Sequence, residues 1–137
     1  MENNLYFSSA YKMENGKWKI LSDREKVMDK NQMIYFLDFI KDNRSDAKLE
    51  IIPEPDIGVS ELSVECDGEK YLFTLAEYSE DGYLLTRTKA DFAGEAKLVN
   101  FMGEPYPASA VTTDFDFIKG VFIEFLETGN VSYDSMS

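Results

Sequence analysis

The chain has 137 residues, 44% of them hydrophobic and 14% aromatic, with 26 acidic against 14 basic side chains, no histidine and one cysteine. That size and apolar content specify one domain with a substantial core rather than a disordered chain, and a formal net charge of −12 argues against direct binding to nucleic acid or an anionic membrane. The missing histidine removes Ser-His-Asp and Cys-His nucleophiles together with the histidine-containing zinc sets, and a single cysteine cannot close an internal disulfide.

The N-terminal residues show no basic start followed by an apolar run of signal length, and no stretch approaches the roughly 18 apolar residues of a membrane span. A cytoplasmic protein is expected. Leu5–Tyr11 and Trp18–Leu21 read as two short strands about Asn15-Gly16, a pair that tolerates the positive φ of a hairpin turn. Ser22-x-x-Glu25 and Asp29-x-x-Gln32 both have capping-box spacing. Met33, Ile34, Leu37 and Ile40 fall on one helical face, which predicts a helix from about Asp29 to Lys41. Leu49–Ile52 is a short strand candidate, closed by Pro53 and Pro55.

Residues 61–101 read as an antiparallel meander. Leu62, Val64 and Cys66 alternate with polar neighbours, as do Tyr71, Phe73 and Leu75. Turns are expected at Asp67-Gly68 and Asp81-Gly82, with Tyr83–Thr88 and Lys97–Phe101 as later strands. Gly103 to Pro107 is expected to be a loop. A second helix is predicted from about Thr113 to Glu127, capped by Thr112 or Thr113 and ended by Gly129. Its stripe of Phe115, Ile118, Phe122, Phe125 and Leu126 is wide enough to be buried. The resulting class is α+β: a single domain with two main helices packed on an antiparallel sheet.

The acidic excess is not spread evenly. Residues 1–52 carry nine acids and nine bases, whereas residues 53–82 carry nine acids and only Lys70. A local net charge of −8 over 30 residues creates a field that attracts a cationic surface. Glu61, Glu65, Asp67, Glu69, Glu80 and Asp81 are the candidate contact residues, with Tyr71, Tyr78 and Tyr83 nearby as possible anchors.

Other chemistry fits less well. Cys66 occupies an alternating apolar position and reads as a small buried side chain. Glu65 with Asp67, or Asp114 with Asp116, would be the carboxylate pairs for acid–base work. Asp114 and Asp116 are two apart, do not share a helix face, and suit the positive end of the helix instead. Neither acidic stretch has the glycine and terminal glutamate of a calcium loop. No cofactor or metal site is expected.

The segment Val111–Gly129, with Glu124-Phe125-Leu126, Thr128 and Gly129 behind the proline-bearing loop of Pro105 and Pro107, resembles the C-terminal part of a class of bacterial immunity proteins. These neutralise polymorphic toxins, including those of contact-dependent growth inhibition. Asn130, Val131 and Tyr133 stand where that class often has proline and tryptophan. The resemblance implies a non-enzymatic inhibitor that binds a cognate toxin and occludes its basic cleft. A nuclease is the leading kind of toxin, since phosphate-binding clefts are cationic. The motif ends a helix and transfers no functional residues. The alternatives are an acidic adaptor or nucleic-acid mimic with no dedicated toxin, and an enzyme or metal binder using carboxylates. The sequence leaves the oligomeric state open.

Overall fold

Gly16 takes φ 83° in the turn between β1 (Leu5–Lys12) and β2 (Trp18–Lys26), and the Asn15 side-chain oxygen accepts the Lys17 N–H at 2.9 Å. The hairpin is therefore where its Asn-Gly pair placed it. The computed structural model describes residues 4–27, 29–41, 43–89 and 97–137. After β2 come α1 (Lys30–Ile40), β3 (Arg44–Ile51), β4 (Gly58–Asp67), β5 (Tyr71–Tyr78), β6 (Leu84–Arg87), β7 (Leu98–Phe101), β8 (Glu104–Pro107), β9 (Val111–Thr112) and α2 (Phe115–Thr128).

The main sheet runs β2-β1-β3-β4-β5-β6, with β9 also pairing β5. All of these pairings are antiparallel. Strand alternation divides the two faces. One face presents Leu5 and Phe7, Ala47 and Leu49, Leu62, Val64 and Cys66, then Tyr71, Phe73 and Leu75, all buried. Both helices cover it, α1 through Met33, Leu37 and Ile40 and α2 through Ile118, Val121, Phe122 and Phe125. The Phe7 ring lies 6.2 Å from Phe36 and 6.5 Å from Phe122, joining sheet to both helices. Each such large apolar side chain contributes about 1.5–3 kcal/mol by leaving water, so this layer holds the fold together. The class is α+β, as expected.

Several local expectations are corrected. Ser22 does not cap a helix; it is buried inside β2 and donates to the Phe7 carbonyl at 3.0 Å. Asp29 caps α1, accepting the Asn31 N–H at 2.9 Å. β3 starts at Arg44 rather than Leu49, because buried Ser45 and Ala47 extend the inward alternation without large apolar groups. β7 leaves the meander and pairs with β8 in a separate two-stranded sheet. The expected loop at 103–107 is thus mostly strand, with Met102 and Gly103 at φ 51° and 86° making the turn. Residues 90–96 of the expected meander lie outside the described residues. Asp114, not Thr112 or Thr113, caps α2 by accepting the Phe117 N–H at 3.1 Å; Thr112 instead accepts the Asp114 N–H.

Gly129 ends α2 in the left-handed region at φ 77°, its N–H bonded to the Phe125 carbonyl. A side chain there meets its own backbone, so Gly129→Ala is expected to lower stability by about 1 kcal/mol. Urea unfolding checks this; an unchanged midpoint would contradict it.

Candidate functional site

Among the described residues no α-helix covers the opposite face of the sheet. Its centre is set by the β3–β4 register, which places Asp46 opposite Glu65, Lys48 opposite Ser63 and Glu50 opposite Glu61. The β4–β5 register continues these rows to Leu72, Thr74 and Ala76. The β1–β3 register extends them the other way to Ala10, Ser8 and Tyr6. Ser8, Ser63 and Thr74 therefore floor the middle beside Lys48, and acids stand to either side. The β7–β8 hairpin overhangs one margin through Tyr106 and Pro107. Together these elements enclose a groove of about 570 Å³.

The hairpin is tied down on two sides. Lys70 Nζ donates to the Asn100 carbonyl at 2.7 Å. Behind β8, Ser109 accepts the Lys89 N–H through its carbonyl and meets Thr88 Oγ1 at 2.8 Å through its hydroxyl.

Two of the cross-strand pairs are carboxylate against carboxylate. Directly opposed like charges destabilise a sheet by up to about 1 kcal/mol. Compensation is uneven. Glu50 Oε1 lies 3.0 Å from Arg24 Nε and 3.9 Å from Lys48 Nζ. Among the described residues no cation forms an ion pair with Glu61 or Glu65. Loss of solvent around the Asp46 carboxyl raises its pKa above the usual aspartate value, against the opposing pull of the Ala10 backbone hydrogen bond and Lys48.

A carboxyl with a raised folded pKa costs stability at neutral pH, and the cost fades as pH falls through that raised value toward the unfolded one. Asp46→Asn is therefore expected to be more stable than wild type at pH 7. That advantage should shrink as pH falls through the raised folded pKa toward the ordinary aspartate value. Paired denaturation curves across this range measure the difference, and a constant offset would contradict it.

A tyrosine stands at each end of this row of acids. The Tyr78 phenol has a raised pKa, first through its hydrogen bond to Glu54 and then through desolvation and the charges of Glu54 and Glu61. The Tyr106 phenol is raised by desolvation, then by the charge and hydrogen bond of Glu104 and the charge of Glu65. Both phenols thus sit in a negative field beside the groove.

The six sequence candidates do not form one cluster. Glu61 and Glu65 share the open face. Asp67 and Glu69 lie in the β4–β5 turn. Glu80 and Asp81 lie in the β5–β6 turn, at the other end of an eight-residue strand and so roughly 25 Å away by strand rise. The Asp67 side chain accepts the N–H groups of Glu69 and Lys70 at 2.9 and 2.7 Å. Desolvation alone would raise its pKa, but these bonds and the Lys70 charge outweigh it and hold the value below the usual range. Asp67 is thus occupied in closing its turn.

Of the three tyrosines, Tyr71 is buried in the core, Tyr78 borders the acids and Tyr83 is exposed. Asp46, Glu50 and Tyr106 were missed. Their signal was only the alternation of Asp46, Lys48 and Glu50, which becomes a site once strand register is known. Among the described residues no group of three acids or thiols is placed to hold a metal ion. Cys66 is buried, with its sulfur accepting the Gly68 N–H at 3.3 Å.

The residues of the C-terminal motif are engaged in structure. Glu124 Oε2 accepts the Ser132 N–H, and Thr128 Oγ1 donates within the α2 end, to the Glu124 or Asn130 carbonyl. This geometry directs residues 130–136 over β6, where Arg87 is 4% exposed. The Arg87 guanidinium donates to Glu77, Asn130 and the carbonyls of Val131 and Met136. It also lies 3.9 Å from the centre of the Tyr133 ring.

The chain belongs to DUF6911, described as a family of unknown function, with residues 4–135 matched. No curated protein matches it. A hypothetical protein from Neisseria gonorrhoeae, solved by crystallography, is similar with a TM-score of 0.74 and 19% identity, over 93% of this chain and 90% of that one. At that identity the likeness concerns the fold. Among the described residues no helix is long and apolar enough to cross a membrane.

Proposed function

We propose that this DUF6911 member is a cytoplasmic, non-enzymatic inhibitor of the immunity type. It binds a cognate toxin, a nuclease in the leading case, and occludes the toxin's cationic cleft with the open sheet face. The observation that carries this reading is the opposition of Asp46 to Glu65 in the groove, with Glu61 opposite Glu50 at its margin; among the described residues no cation forms an ion pair with Glu61 or Glu65. A lysine or arginine from a partner would relieve the repulsion and gain charge-assisted hydrogen bonds as it entered. The resemblance of the C-terminal segment to immunity proteins points the same way.

The groove also has the composition of a protein-binding surface. Its floor of Ser8, Ser63 and Thr74 leaves room beside Lys48 for long cationic side chains, with Tyr106 in the lining and Tyr78 near Glu61 as anchors. Complementary fields would speed encounter with a basic partner, which suits an inhibitor that must act before damage is done.

The test is recovery of bound protein from the native host with the wild-type chain as bait, followed by co-expression of what is recovered in a sensitive cell. One dominant toxic partner, neutralised at equimolar expression, is the expected result. A broad set of basic proteins with no toxicity would instead support an acidic adaptor and overturn the immunity reading.

A further inference from the structure

The two outer strands of the main sheet are finished differently. β2 carries Lys19, Arg24 and Lys26 along its length and pairs with β1 through register irregularities near Ser9. Lysine-rich, irregular edges discourage further strand pairing. β6 has neither protection over Leu84–Thr86: Tyr83, Leu84 and Leu85 are 70%, 57% and 49% exposed.

The direction of the β6 backbone groups follows from its neighbours. Ser79 N–H bonds the Tyr83 carbonyl inward, toward β5. Thr88 exchanges both backbone bonds with Ser137 on the outer side, at 3.2 and 2.9 Å. Alternation between these points turns the N–H and C=O groups of Leu84 and Thr86 outward. Among the described residues no strand pairs with them there. Met136 and Ser137 pair beside Lys89 and Thr88 on this outer side.

We infer that the outer edge of Leu84–Thr86 is a docking strand, and that its occupant is an extended, lysine- or arginine-bearing segment of a partner protein that continues the sheet. Charge selects the occupant. Glu80 and Asp81 border this edge, no basic residue occurs between Lys70 and Arg87, and Arg87 is already committed to Glu77. A second copy of the chain is disfavoured, because antiparallel pairing centred on Leu85 would set the copy's Gly82 against Thr88, where Ser137 already lies. Main-chain bonds would supply affinity and the apolar side chains of Leu84 and Leu85 would supply contact area. This inference rests on the cationic-partner reading above and adds the mode of engagement.

The probe is a capped ten-residue peptide of alternating lysine and valine, with a glutamate–valine peptide as control. Saturating cationic peptide is expected to slow amide exchange of Leu84 and Thr86 at least about tenfold in the wild-type chain, while the control does nothing. Thr86→Pro removes one outward N–H and no inward bond, and is expected to weaken binding at least fivefold; Thr86→Ala is expected to bind as wild type. The exchange measurement needs no variant, so a poorly folded Thr86→Pro leaves the test intact. Absence of binding, protection confined to other amides, or concentration-dependent protection without peptide would overturn the inference. If Glu61→Gln/Glu65→Gln loses the peptide while Thr86→Pro keeps it, the edge assignment falls and the groove reading stands.

Discussion

Arg87→Ala is expected to destabilise the protein by about 3–5 kcal/mol and to loosen the C-terminal residues from β6. The reason is the number of groups that depend on one buried guanidinium. Glu77 would lose its ion pair at 3.1 Å, and the carbonyls of Val131 and Met136 would lose their donor. Those acceptors are held in a space from which water is largely excluded, and an unsatisfied buried acceptor costs far more than the net value of the bond it lost. Arg87→Lys keeps the charge but cannot reach four acceptors with a planar fork, so an intermediate loss is expected. Guanidine unfolding measures both. A loss below about 1 kcal/mol for Arg87→Ala would mean that the tail is held by other contacts.

The second large effect concerns the groove. Asp46→Asn, Glu61→Gln and Glu65→Gln combined should raise folding stability while lowering the association rate with a cationic partner by one to two orders of magnitude, an estimate from the range over which steering acts. The opposite signs are the informative part. Opposed carboxylates cost the isolated sheet free energy, so neutralising them relieves the fold. The same substitution removes the field that draws the partner in. Thermal unfolding and stopped-flow association at several salt concentrations supply the two readouts. A stability loss without a rate change would assign these acids an ordinary structural role.

Much of the fold was legible because period-two alternation and glycine turns are local signals. Gly16, Gly68 and Gly82 take positive φ at the expected turns, and the inward residues of β4 and β5 are the ones the pattern named. α2 was legible from its wide apolar stripe and from Gly129. The start of β3 was not, because Ser45 and Ala47 are buried without being large. β8 was hidden by Pro105 and Pro107, which pair with Asn100 and Leu98 although proline rarely suggests a strand.

The candidate site was half legible. Local charge marked Glu61 and Glu65, but it also marked Asp67, which spends its carboxylate on its own turn. Asp46 and Glu50 belong to the charge-neutral first part of the chain. Only the β3–β4 register brings them opposite Glu65 and Glu61, and register depends on long-range pairing that one strand does not encode. Arg87 gave no sign of its role, since two of its four acceptors are the backbone carbonyls of Val131 and Met136.

The central claim is that the sheet face opposite α1 and α2 receives a cationic protein. The most direct measurement is carboxylate labelling of the complex by carbodiimide chemistry with mass-spectrometric readout, using the partner recovered from the native host. The account predicts that Asp46, Glu61 and Glu65 lose reactivity in the complex while Asp38 and Glu127, on the helices, label as before. Protection of Asp38 and Glu127 with the groove acids still fully reactive would contradict it.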